Sequence, residues 1–177
     1  MLSKHLLLTG YRGCGKSAVG NLLSQLLSRD LIDTDLAIEL AANKTIAEIF
    51  TESGQDRFRD LESNQIASLV LLTQPMIISL GGGAILRPEN RQLIRNLGKT
   101  VWLQATPDTI HDRVSKDGST QTRRPKLSQL GDLEEIRSIL EVRTPLYEEV
   151  ADLVVSTDCR TTDEVARIVA EWVRSLP

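Results

Sequence analysis

The sequence predicts an α/β domain in which a parallel sheet carries helices on both faces. Three observations support that expectation. Short apolar runs alternate along the chain with stretches whose apolar residues recur at helical spacing. The first apolar run passes through three glycines in six positions before a helical pattern begins. The 177 residues, 41% hydrophobic and 25% charged, suit one domain with a sizeable core. Aromatic residues make up only 3%, so that core must rest on Leu, Ile, Val and Ala.

Taken in order, "HLLLTG" (5–10) reads as a short buried strand and "KSAVGNLLSQLLSR" (16–29) as a helix. "DLIDTD" (30–35) is a second strand ending in two acids. "LAIELAANKTIAEIFTESG" (36–54) divides into helical pieces with a break near Asn43, and 55–72 forms a longer amphipathic helix. "MIISLGGG" (76–83) is a strand that runs into a glycine turn. A helix over 87–98 has Pro88 near its start and Gly98 past its end. "TVWLQA" (100–105) is the fourth strand, followed by a helix over 107–116. Residues 117–131 are polar and without periodicity, which marks a mobile lid. A helix over 132–151, disturbed by Pro145, leads to the fifth strand, "DLVVST" (152–157), and a closing helix over 161–176.

The net charge of −3 argues against a general nucleic-acid or anionic-membrane binder. Two cysteines, Cys14 and Cys159, are too few for a disulfide scaffold. No basic-then-apolar segment precedes the first strand, and no apolar run is long enough to cross a bilayer. The expected location is therefore the cytoplasm.

"GYRGCGKS" (10–17) fits G-x-x-x-x-G-K-[ST] between a strand and a helix, the context that a phosphate-binding loop requires. Its glycines let the backbone turn N–H groups towards phosphate oxygens, and the following helix start adds partial positive charge. Gly13, Cys14, Gly15, Lys16, Ser17 and Ala18 are the candidate nucleotide-binding residues. Lys16 suits the β- and γ-phosphates, and the Ser17 hydroxyl suits Mg²⁺. Cys14 is read as a small loop residue, and Arg12 either braces the loop or is solvated. "NKTI" (43–46) begins like a guanine-recognition motif but has Ile46 where the acid belongs.

The third strand ends in glycine, so an acid for magnesium must come from elsewhere. Asp33 and Asp35 stand at alternate positions of a strand end, from which both carboxylates would project the same way. Asp33 is the magnesium-side acid and Asp35 the candidate to bind an acceptor hydroxyl and take its proton. The competing reading makes them helix-capping acids, with Asp35 as the N-cap. Arg59 and Glu62 lie three apart on one helix, either as a surface pair or as a partly buried clamp for an anion. Gly81, Gly82 and Gly83 either admit a ligand against bare backbone or simply turn the chain. Trp102 and Tyr147 are read as packing residues.

The loop, "DTD", "FRDLE", "SLGGG", "RRP" and "RTPLY" follow one another over about 140 residues in the order of shikimate kinase, which the chain resembles over nearly its whole length. The resemblance implies a P-loop kinase fold with a five-stranded parallel sheet ordered 2-3-1-4-5. It implies one domain over 1–177, with a substrate-binding helical region at about 34–62 and a lid at about 115–131. It further implies transfer of the γ-phosphoryl group of ATP to the 3-hydroxyl of shikimate, with Mg²⁺, in a monomer with neither nucleic-acid nor membrane partners.

Carried over by residue, Asp35 would bind the shikimate hydroxyls and serve as base. Arg59 and Arg143 would hold the carboxylate, and Gly81–Gly83 would line the pocket. Arg124, beside Pro125, would close over the phosphoryl group; its adjacency to proline favours it over Arg123. Arg113 or Lys116, and Arg160, lie where the family contacts adenine. The lid reads "RRPKLS" where "RPLL" is commoner. A related small-molecule kinase, such as a gluconate kinase, and a nucleotide-binding module without turnover are the competing functional readings.

Overall fold

A computed structural model describes residues 4–116 and 132–177. The expected lid, with Arg123 and Arg124, lies outside the described residues except for its first two positions. The elements run β1 (His5–Thr9), α1 (Lys16–Leu27), β2 (Leu31–Asp33), α2 (Thr34–Ala42), α3 (Ile46–Ser68) and β3 (Ile77–Ser79). They continue with α4 (Pro88–Leu97), β4 (Gly98–Gln104), α5 (Pro107–Lys116), α6 (Asp132–Val150), β5 (Leu153–Ser156) and α7 (Thr162–Ser175). The strands form one sheet in the order β2-β3-β1-β4-β5, every neighbouring pair parallel.

Strand alternation divides the core into two layers. Leu6, Leu8, Val101 and Leu103 point to one face, where they pack with Val19 and Leu23 of α1 and Val165 and Val169 of α7. Leu7, Ile78 and Trp102 point to the other face and meet Ile66 of α3, Ile94 of α4 and Tyr147 of α6. With both faces covered, the strands read as near-continuous apolar runs. A third, smaller cluster of Ile38, Ile46, Ile49 and Phe58 ties α2 to α3.

Several boundaries differ from the sequence reading for local reasons. The second strand stops at Asp33, whose carboxylate caps α2 by accepting from the Asp35 and Leu36 N–H groups at 3.0 and 3.3 Å. Asp35 is therefore on a helix, neither at a strand end beside Asp33 nor the N-cap, a position that Asp33 takes. The break at Asn43 is real: this residue closes α2 in the left-handed region (φ 50°), which accounts for the asparagine of "NKTI". The boundary expected at 54–55 is a kink at Gly54 (φ 78°) within α3, whose start is secured by a Thr45–Glu48 capping box.

Gly98 begins β4 instead of lying in a loop. A Cβ there would stand 2.0 Å from the His5 carbonyl oxygen, so only glycine lets the two strands approach. Pro145 does not break α6. Burial of Tyr147 and Val150 beyond it outweighs the roughly 3 kcal/mol cost of an interior proline.

His5 anchors the start of the sheet. Its Nδ1 accepts the Met76 N–H at 3.1 Å, and burial, reinforced by nearby Arg29, lowers its pKa. The folded state thus binds a proton at His5 less readily than the unfolded chain. The stability this contributes is complete above about pH 6.5 and declines as pH falls through the lowered folded value. Thermal melts between pH 7.5 and 5.5 are expected to show this slope, and His5→Asn is expected to flatten it.

Candidate active site

The phosphate loop is tightly built. Gly10 (φ 139°) admits no side chain, because a Cβ would stand 2.4 Å from the Leu103 carbonyl oxygen and 2.8 Å from Cys14 Sγ. Lys16 Nζ donates to the carbonyls of Gly10 and Tyr11 at 2.8 and 3.0 Å and lies 3.8 Å from Cys14 Sγ. Cys14, 1% exposed, packs in the core as the small loop residue expected. Among the described residues no side chain caps the start of α1, so its first N–H groups face outward beside exposed Ser17 and Ala18.

Strand register delivers the first acid to this loop. Asp33 pairs with Ser79 across β2 and β3, and its Oδ2 accepts from Ser79 Oγ and from Ser17 Oγ, each at 3.2 Å. The same carboxylate caps α2 through its other oxygen, so the capping reading of Asp33 holds while its second oxygen faces the Ser17 and Ser79 hydroxyls. Asp35, in the first turn of α2, faces the glycine turn. A Cβ on Gly81 would lie 2.6 Å from Asp35 Oδ1 and 2.9 Å from Glu62 Oε1. Thr34, between the two acids, donates to the Ser79 carbonyl at 3.3 Å and accepts the Gly81 N–H at 3.0 Å. It thereby fixes the turn.

An open recess of about 510 Å³ follows, lined by Asp35, Arg59, Glu62, Gly82, Gly83 and Arg143, among others. Arg59 donates to Glu62 Oε2 at 2.5 Å, with the two side chains 11% and 1% exposed. The pair is thus buried, not a surface pair. Burial pushes the Glu62 carboxyl up in pKa, against the opposing pull of Arg59, Arg143 and Arg87. Arg59 also lies 5.1 Å from the Phe58 ring centroid. Arg143 Nη1 donates to the Gly82 carbonyl at 3.0 Å, and Tyr147 donates to the same oxygen at 2.6 Å.

Tyr147 stacks on Trp102 with centroids 5.5 Å apart, so packing is only part of its role. Burial raises its hydroxyl far above the usual phenol range, which keeps it a donor. The sequence reading missed Thr34, Ser79, Tyr11 and Phe50. Thr34, Ser79 and Tyr11 stand inside "DTD", "SLGGG" and the phosphate loop but carry no charge to mark them, and Phe50 reads as an ordinary core residue.

On the far side of the loop, Arg113 donates to the Gly13 carbonyl at 3.3 Å and to Thr157 Oγ1 and O at 2.9 and 2.8 Å. It ties the loop to the end of β5, whereas Lys116 forms an exposed pair with Asp112. Arg160 donates to the Ser156 carbonyl at 2.6 Å.

A glycine-rich phosphate cradle and an arginine-clamped recess thus open at the same ends of a 2-3-1-4-5 parallel sheet. These features define a P-loop kinase for a small anionic acceptor. Residues 12–174 match the family model for shikimate kinase. The chain is 45% identical over 175 residues to a shikimate kinase of Rhodopirellula baltica, covering 98% of this chain and 91% of that one. A solved shikimate kinase from Acinetobacter baumannii in complex with shikimate is similar with TM-score 0.90 at 30% identity, covering 97% and 93% of the two chains. One from Bacteroides thetaiotaomicron gives TM-score 0.85 at 30% identity, covering 97% and 98%. The chain belongs to the shikimate kinase family.

Gly83 tests the clamp. A Cβ there would stand 2.2 Å from Arg59 Nη1 and 2.6 Å from its Cζ, so Gly83→Ala must displace the guanidinium. Losing about 2 kcal/mol of charge-assisted bonding is expected to raise the KM for the acceptor ~30-fold while leaving the KM for ATP nearly unchanged. Steady-state kinetics with each substrate varied in turn checks this.

Proposed function

We propose that this chain transfers the γ-phosphoryl group of ATP to the 3-hydroxyl of shikimate, giving shikimate 3-phosphate and ADP in chorismate biosynthesis. The observation that supports it best is the direct abutment of the two recesses. A Cβ on Gly82 would stand 3.3 Å from the Gly10 carbonyl oxygen, so the acceptor floor rests on the phosphate loop.

Phosphoryl transfer needs positioning and charge neutralisation more than covalent help. Arg59 and Arg143 hold the shikimate carboxylate in the bidentate manner that arginine favours. Asp35 orients the 3-hydroxyl and accepts its proton as that oxygen bonds to the γ-phosphorus. The bond from this phosphorus to the β–γ bridging oxygen breaks, and ADP leaves with the electron pair. The amides of Gly13–Ala18 and the Lys16 ammonium bind the phosphates. Arg160 is assigned to the adenine side, and Arg124, outside the described residues, to closure over the phosphoryl group.

The oxygens of Ser17 and Asp33, 3.2 Å apart, are the hard donors that suit Mg²⁺. Among the described residues no three His, Cys, Asp or Glu side chains gather, so phosphate oxygens and water would complete the ion's shell. When bound, the ion neutralises charge on the β- and γ-phosphates. We further assign a cytoplasmic monomer acting on small molecules, without nucleic-acid or membrane partners. No helix among the described residues is long and apolar enough to cross a membrane.

A coupled ADP assay tests the assignment: ADP release is expected only when shikimate is added, and not with a panel of other hydroxy acids. Lys16→Met is expected to lower kcat on the order of 10²-fold or more. Asp35→Asn is expected to lower it about 10²–10⁴-fold with the fold unchanged by circular dichroism. Shikimate-independent ADP release would overturn the assignment.

A further inference from the structure

Arg12 belongs by position to the phosphate loop, yet its side chain lines the acceptor recess with Asp35, Arg59 and Arg143. Its guanidinium carbon stands 5.7 Å from the centroid of the Tyr11 ring, and that of Arg143 stands 5.8 Å from the same centroid. Tyr11 is itself 2% exposed, so the two cations share a fixed aromatic platform. The neighbouring cations are engaged: Arg59 with Glu62, Arg143 with the Gly82 carbonyl, and Lys16 with loop carbonyls. Among the described residues Arg12 has no hydrogen bond or ion pair, and its Nε is buried without an acceptor. An unsatisfied buried donor on a permanently charged group is costly unless an anion meets it.

The two arginines assigned to the carboxylate lie in the recess wall, and the groups assigned to the donor lie in the cradle. The transferred group must cross the boundary where the loop and the glycine turn touch. Arg12 is the loop's own cation on the acceptor side of that boundary. We propose that Arg12 grips the phosphoryl group during transfer and stays on it in the product, so that it separates phosphorylated from free acceptor. This inference rests on the reading of the chain as a shikimate kinase. The hydroxyl proton goes to Asp35 and the leaving electron pair to ADP, while Arg12 stays protonated throughout. Its planar fork matches the phosphoryl oxygens, whose charge it offsets as the bonds exchange.

The test compares wild type, Arg12→Met and Arg12→Lys in steady-state kinetics and in calorimetric titrations with shikimate and with shikimate 3-phosphate. Arg12→Met is expected to lower kcat on the order of 10²-fold. It is expected to weaken shikimate 3-phosphate binding about tenfold or more while shikimate binding moves less than about threefold. Arg12→Lys is expected to recover part of both losses. If Arg12→Met does not fold, Arg12→Lys decides alone, through weaker product binding with shikimate binding unchanged. Equal weakening of both ligands, or a lower kcat with product affinity unchanged, overturns the inference. So does wild-type turnover on shikimate with Arg12→Met indistinguishable from it. A wild-type protein without shikimate-dependent ADP release instead overturns the functional reading itself.

Discussion

The glycine turn after β3 is the constraint on which the site depends. Four groups crowd its bare backbone: Asp35 and Glu62 at Gly81, the loop backbone at Gly82, and the Arg59 guanidinium at Gly83. A Cβ on Gly82 would press on the Gly10 carbonyl oxygen at 3.3 Å, so a side chain there would push the turn from the phosphate loop by a few tenths of an ångström. Phosphoryl transfer tolerates little separation between acceptor oxygen and phosphorus, since effective molarity falls steeply with misplacement of about 1 Å. Bare backbone at three successive positions is what lets Asp35, Glu62, Arg59 and the phosphate loop approach the turn this closely.

The parallel sheet explains why these groups meet at all. Every strand enters from the same end, so loops after β1, β2 and β3 emerge together at the carboxyl edge. Register refines that meeting: the Asp33–Ser79 pairing sets an acid beside Ser17, and Thr34 then pins the Gly81 N–H. One carboxylate thus joins three elements. Its two oxygens divide the work, one ending in the capping bonds of α2 and the other in the hydroxyls of Ser17 and Ser79.

Burying the Arg59–Glu62 pair is not an efficient way to stabilise a fold, because desolvation offsets much of the attraction. The upward push on Glu62 is that cost made visible. What the pair supplies is a guanidinium held in place at the recess wall. Tyr147 does for Arg143 what Glu62 does for Arg59, through a neutral contact: both side chains donate to the Gly82 carbonyl, which fixes their relative position.

Local chemistry made much of this protein legible in its sequence. The alternation of apolar runs and helical periods yielded the five strands and both helical layers. The loop, "FRDLE", "GGG" and "RTPLY" marked the charged residues of the site, because each motif carries its own steric or electrostatic signature. Other features depend on neighbours distant in the chain. Capping by an acid was legible beside the start of α2, but nothing near Asp33 reveals that it meets Ser79, 46 positions away. Likewise, a buried Arg59–Glu62 pair is indistinguishable from an exposed one until Phe58 and the glycine turn close over it. Arg12 could be read only as a loop brace or a solvated residue, because its place in the recess lining depends on elements distant in the chain. Sequence alone determined which groups are present and in what order, since propensity and periodicity act over a few residues. Tertiary structure alone decided which of them face one another, since burial and strand register act across the whole chain.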